Sequence, residues 1–430
     1  MPRHIAGLLL IAMAIPSTGC HRYLVETPNL LRRQDPMRIY AACPAECQTA
    51  EAAVLYGTDR AVDNANKERP SYGHGRANSL AFGVANVSLS PNPSWNELIK
   101  ESTTVKRGRE FQLQLASVQE VGRISPHLEL AHVKNRKLLT EVGGSSQATR
   151  DAIAQEWADE RGRLHGLVRT RLAQTDQKDV YIFVHGYNNS FDDAVFRAGE
   201  VWHFMGRVGV PIAYTWPSGR GGIRGYAYDR ESGEFTVGHL RRFIQSVAEC
   251  PDVERIHLVA HSRGCDVTIS ALRELHLSIV AQGNSTQQEL KLENLVLAAP
   301  DVDEEVFMQR FVGEGLLQAA KRTTIYASEH DRAIELTDLV FASRRRLGML
   351  GVKDFNPKMK RGLARLPNVQ FIECKLKGLW IGHSYVFEHP AALSDLILVL
   401  RDRRPPGVEN GRPLHQPAEG LWELTDEYLR

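Results

Sequence analysis

Ile256-His257-Leu258-Val259-Ala260-His261-Ser262-Arg263-Gly264 is the stretch on which the fold turns. A short apolar run ends in a serine, and a glycine follows two residues later. Val267, Ala271 and Leu275, with Ile269 and Leu272 beside them, then recur at helical spacing. Strand, sharp turn and helix, with serine at the turn, is the setting of the nucleophile elbow, written G-x-S-x-G. The turn lifts the hydroxyl clear of the backbone, where a base and a substrate reach it. Small neighbours are needed because strand and helix nearly touch. Ala260 stands at the first glycine position and adds one methyl group. On this stretch alone a serine-capped strand-to-helix turn reads the same way, so the surrounding sequence has to decide.

Outward from the elbow the pattern is α/β. Val180-Tyr181-Ile182-Phe183-Val184 is an unbroken apolar run, as expected of a strand buried on both faces. Ser190 and Asp193 open a helix whose apolar stripe is Ala194, Ala198, Val201, Trp202 and Met205. Further strands are predicted at Pro211–Trp216, Leu295–Ala299, Thr323–Ala327 and Val369–Cys374, with a helix carrying Leu240, Phe243, Ile244 and Val247. Strands alternating with helices argue a mostly parallel, doubly wound sheet with helices on both faces. The expected organisation is a signal peptide over 1–20, a linker over 21–50, one domain over 51–400 and a peripheral C-terminal tail over 401–430. Within the domain, N-terminal strands occupy 51–145 and the core 175–400. A polar helix is expected over 147–173.

A serine hydroxyl needs a base to take its proton and a third group to orient that base. In doubly wound sheets that carry such an elbow, the chain order is serine, acid, histidine. Asp331 follows the strand ending at Ala327, and His383 follows the last strand. Both fall in loops at the carboxyl ends of strands, where ligands bind in open α/β sheets. Ser262, Asp331 and His383 are therefore the candidate catalytic residues. Asp301, at the end of the preceding strand, is the rival acid. An oxyanion requires fixed donors. The backbone N–H groups of Arg263, directly after the serine, and of Tyr187, in the loop His185-Gly186-Tyr187-Asn188-Asn189, are the candidates. No Cys/His spacing suggests a metal and no cofactor is called for.

Lys plus Arg number 53 and Asp plus Glu 51, so no overall field attracts nucleic acid. The amino terminus reads as targeting sequence. Arg3 and His4 lead an apolar run to Ile15, then Ser17-Thr18-Gly19-Cys20. The small residues before Cys20 resemble a bacterial lipobox, with Ser17 where that pattern prefers leucine. The resemblance implies lipid attachment at Cys20 and a membrane-anchored protein of the cell envelope, facing the periplasm or exterior. Cys43 and Cys47, in Cys-Pro-Ala-Glu-Cys, are candidates for a local disulfide in an oxidising compartment. Cys250, Cys265 and Cys374 read as small buried hydrophobes.

Taken as an ordered set, these motifs resemble a bacterial α/β-hydrolase family catalogued as domain of unknown function 900. The matching pieces are Phe183 to Asn188, Tyr214 to Ser218, Ala260 to Gly264, Leu297 to Asp301, Tyr326-Ala327-Ser328 with Asp331, and Gly382 to Tyr385. Tyr56-Gly57-Thr58-Asp59-Arg60 upstream also looks like the family's N-terminal strand. The resemblance implies an α/β-hydrolase fold and an esterase or lipase-like role on a small-molecule or lipid acyl substrate. Two alternatives stay open: an acyltransferase, and a catalytically silent binding or scaffold lipoprotein. Substrate and oligomeric state are not legible.

Overall fold

The computed structural model describes residues 22–32, 36–63, 70–125, 147–219, 221–331, 334, 345–377 and 382–430. The expected signal segment and Cys20 lie outside the described residues. Among the described residues, eleven strands form one sheet. They are β1 (Ala52–Asp63), β2 (Ser71–Ser90), β3 (Gln112–Ile124), β4 (Asp179–Val184), β5 (Val210–Thr215), β6 (Arg255–His261), β7 (Leu292–Ala298), β8 (Arg322–Ala327), β9 (Val369–Lys375), β10 (His415–Ala418) and β11 (Leu421–Thr425). The spatial order is β10-β11-β9-β8-β7-β6-β4-β5-β1-β2-β3. From β11 to β1 every neighbouring pair is parallel. Antiparallel pairs flank this block at both edges. This is a mixed, mostly parallel sheet with helices on both faces, as the alternating strands and helices of the sequence predict.

The apolar runs divide by face. On β4, Tyr181 and Phe183 join one core cluster, while Val180, Ile182 and Val184 join the other. The same alternation separates Val259 from Leu258 and Ala260 on β6. A strand buried on both faces therefore needs apolar residues at every position, which is why it reads as an unbroken run. Of the longer helices, α1 is Trp95–Thr103, α2 Gln147–Leu172, α3 Phe191–Phe204, α4 Gly222–Ala248, α5 Arg263–Val280 and α6 Pro390–Leu400. Helices α3 and α6 pack in the first cluster, and α2, α4 and α5 in the second. The α3 start is a capping box in which Ser190 and Asp193 satisfy each other's backbone N–H. In chain order β4 leads to β5 on one side and β5 returns to β6 on the other. The strand order thus reverses around β4, and the crevice at its carboxyl end is where such sheets bind ligands.

Three expectations need correction. Residues 22–50 do not behave as a linker. Leu24, Leu31, Ile39 and Tyr40 are buried in the first core cluster. Leu24 N–H donates to Phe111 O at 2.8 Å, and Arg22 pairs with buried Glu200 at 3.0 Å. The segment is anchored by single side chains and short 3₁₀ turns, so it has no periodicity to read. The tail 401–430 is not peripheral. β11 extends the sheet alongside β9, and Leu421, Leu424 and Arg412 are fully buried. Finally, Cys43 and Cys47 are free thiols. Cys47 ends the 3₁₀ turn Ala45–Cys47, Cys43 precedes it, and burial pushes the Cys43 thiol up to about 11. Buried Asp179 pairs with Arg255 and Arg403, and buried Asp395 with Arg412.

Candidate active site

Ser262 lies between β6 and α5 with φ 54° and ψ −126°. A non-glycine residue there stores roughly 1–3 kcal/mol of backbone strain, which the neighbours must hold in place. Three hydrogen bonds do so. Ser262 N–H donates to Ala298 O at 2.9 Å, and Ser262 O accepts from Cys265 N–H at 3.0 Å and Asp301 N–H at 3.2 Å. The small residues have a measurable reason. A Cβ on Gly264 would stand 2.3 Å from His185 O, and one on Gly186 would stand 2.6 Å from Ser262 Cβ. Ala260, by contrast, is fully buried in the second core cluster, so its methyl group is accommodated.

His383 Nδ1 and Asp331 Oδ2 are 2.8 Å apart, with the Asp331 side chain fully buried and that of His383 22% exposed. Burial alone lowers the imidazole pKa. The charge of Asp331 and its hydrogen bond outweigh that and raise it above the ordinary value. His383 is brought to the elbow by the residue before the serine. His261 Nε2 is 3.0 Å from His383 O, and the two rings lie 4.9 Å apart. Burial, then the neighbouring His383, hold His261 well below the usual imidazole range, so it is neutral and donates from Nε2. Asp301 is close by but differently engaged. Its carboxylate accepts from the Tyr226 hydroxyl at 2.9 Å and pairs with Arg346 at 3.4 Å. The carboxylate hydrogen-bonded to His383 is that of Asp331.

The loop after β4 packs onto the elbow through Gly186. Its Tyr187 hydroxyl donates to Gly222 O at 3.0 Å, and the Tyr187 ring stands 5.2 Å from that of Tyr226. Arg263 N–H heads α5, where first-turn amides lack acceptors within the helix. The Arg263 side chain turns aside to Asp266 at 3.0 Å. Ser218, in the segment after β5, is fully buried and its hydroxyl is bonded to Gly186 O and Asn189 O.

Two residues of this site carried no sequence signal. Asp229, on the first turns of α4, is 1% exposed and accepts from Asn188 N–H at 3.0 Å and Gly219 N–H at 3.2 Å. Burial pushes its carboxyl up to about 6, against the pull of those two N–H groups. Arg60, on β1, is fully buried and reaches the loops after β4 and β5. Among the described residues no group of three His, Cys, Asp or Glu side chains is placed to hold a metal ion.

A family model described as an alpha/beta hydrolase of unknown function, DUF900, matches residues 161–403, more than half of the chain. No curated protein matches it.

Proposed function

Because the chain belongs to the DUF900 family of α/β hydrolases, we propose that it is a serine hydrolase that cleaves carboxylic esters through an acyl-enzyme. The 2.8 Å pairing of His383 with Asp331, beside the strained Ser262 elbow, carries this reading. His383 Nε2 takes the Ser262 Oγ proton as Oγ bonds to the carbonyl carbon. The carbonyl electron pair moves to oxygen, which the N–H groups of Tyr187 and Arg263 receive. Collapse breaks the carbon–oxygen bond to the alcohol, and the alcohol takes the proton from His383. Water then repeats the sequence, releasing the acid and restoring Ser262. Asp331 orients the imidazole and offsets the charge it gains.

The enzyme acts, in this proposal, while tethered at Cys20 to a membrane of the cell envelope. Among the described residues no helix is long and apolar enough to cross a membrane, and the tether is argued from the sequence Ser17-Thr18-Gly19-Cys20. Two acyl chains or more make such an anchor stable, since each buried methylene contributes about 0.8 kcal/mol. Metabolic labelling with a fatty acid should mark the wild type and not Cys20→Ser; equal labelling of the two removes the tether. For the chemistry, a fluorophosphonate probe should label the wild type and not Ser262→Ala. Absence of labelling in folded wild type, and of turnover across esters of increasing chain length, would refute the hydrolase.

A further inference from the structure

Arg60 spends all five of its N–H donors, the full complement of a guanidinium, inside the protein. Nε bonds Thr215 Oγ1 at 3.1 Å, and Nη1 bonds Gly73 O at 3.1 Å and Ser218 O at 2.9 Å. Nη2 bonds His185 Nε2 at 3.2 Å and Asn189 O at 2.7 Å. Burying a guanidinium is costly unless every donor is satisfied, and here three of the five acceptors, on His185, Asn189 and Ser218, lie on the loops after β4 and β5. The contact with His185 decides what the ring can do. Trp216 N–H also points at His185 Nε2, at 3.0 Å. A nitrogen between two donors has to be the acceptor, so the ring proton resides on Nδ1. Nδ1–H then donates to Gly186 O at 2.9 Å, and the Ser218 hydroxyl reaches the same oxygen at 3.3 Å. The Trp216 ring stacks on the imidazole, with centroids 5.1 Å apart and planes within 5°, which fixes its rotation.

Gly186 O belongs to the peptide that carries Tyr187 N–H. In a trans peptide the N–H points opposite to the carbonyl. Holding Gly186 O against His185 and Ser218 therefore aims Tyr187 N–H away from them. Gly186 itself lies against Ser262. We propose that Arg60 is a positioning residue for the oxyanion loop, acting through the proton-donating face of His185; this rests on the hydrolase reading above. Without Arg60 the ring loses one of the two donors that fix its tautomer, and the carbonyls of Ser218 and Asn189 lose their cation. The peptide before Tyr187 is then free to turn its carbonyl toward the developing oxyanion. Arg60 lies outside the span that the family model matches, on a strand that joins the parallel sheet through β5.

The first test needs no turnover. Nitrogen NMR of the full chain should find His185 neutral, with its proton on Nδ1, from about pH 5 to 8; an Nε2–H tautomer or an imidazolium overturns the proposal. The second is kinetic. Arg60→Met should lower kcat by about 10- to 100-fold with KM within about twofold, because the oxyanion exists only in the transition state. A kcat equal to wild type, or a loss confined to KM, overturns it. Should Arg60→Met not fold, His185→Asn, whose amide keeps a donor for Gly186 O, is compared with His185→Phe. At least about tenfold higher kcat in His185→Asn supports the relay, and equal kcat overturns it. A wild type that neither labels nor turns over refutes the hydrolase and the proposal with it, whereas an active wild type with an insensitive Arg60 refutes the proposal alone.

Discussion

At the scale of single residues, two buried acids each make stability fall as pH rises, one through a partner's proton and one through its own. Asp331 raises the His383 pKa above its unfolded value. The stabilisation that this pairing gives is complete below the unfolded imidazole value of about 6.5 and is lost as pH rises through the folded one. The proposed base must be neutral, so turnover should fall as pH drops through that same raised pKa. In Asp331→Asn the acid limb of kcat/KM should move to lower pH, and kcat should fall about 10²- to 10⁴-fold; superimposable limbs in a pH–rate comparison would dissociate Asp331 from the base. Asp229 acts through its own proton, in a lower pH window. Its carboxyl is raised to about 6 by burial, so the folded state holds the proton more tightly than the unfolded chain. The cost of ionising it grows from about pH 4 to pH 6 and is complete above that. Both N–H donors reach the same oxygen, Oδ2, which an asparagine carbonyl replaces. Asp229→Asn should therefore match or exceed wild-type stability above pH 6, the advantage shrinking toward pH 4. Asp229→Ala strands two N–H groups and should lose about 1–3 kcal/mol for each left buried. Urea melts of the three proteins at two pH values decide it.

At the scale of elements, legibility followed periodicity. β4, β5 and β6 are buried on both faces, so their apolar runs are continuous in sequence, and α5 shows its core stripe at helical spacing. The elbow was readable because its steric demand fixes residue type. At Gly264 a methyl group meets the backbone oxygens of His185 and Val184, neither of which can rotate away. Gly264→Ala should cost about 1–3 kcal/mol by overpacking and displace the loop after β4, measured as a melting shift together with lost probe labelling. Retention of both would mean the strand and helix separate more easily than this contact implies. The candidate acids were readable to within a choice of two, because both follow strands. Only the fold's closure says which of them meets His383. Arg60 and Asp229 were not readable. A charged residue on a helix or near a strand end ordinarily faces water, and nothing local in Thr58-Asp59-Arg60 or Tyr228-Asp229-Arg230 announces that its partners come from loops more than a hundred residues away in the one case and tens in the other.

At the scale of the molecule, the family match ends at residue 403 while the sheet does not. The last strands are fastened by one buried carboxylate. Asp395 on α6 accepts from Arg412 Nε and Nη2 at 2.7 Å each, from Tyr428 OH at 2.6 Å and from Tyr326 OH at 2.7 Å. Its two oxygens are thus shared among the tail, the C-terminal residues and β8. The amino-terminal segment closes on the same region, since Asn29 Nδ2 donates to Tyr428 O at 2.8 Å. Breaking one partner of a fully buried pair leaves a charge without compensation, about 3–5 kcal/mol. Arg412→Met should show that loss, and Asp395→Leu in the same chain should restore much of it, because two apolar residues need no counter-charge. Truncation after residue 403 goes further. It strips β11 from β9, leaving Phe371 to Lys375 as an open parallel edge and Asp395 buried without its cation. The truncated chain should therefore unfold at lower urea and associate through that edge in size-exclusion chromatography, although every residue of the proposed triad is retained. A monomeric, equally stable truncation would show that the edge strands are an ornament on the hydrolase core, and would leave the Asp395 cluster without a mechanical role.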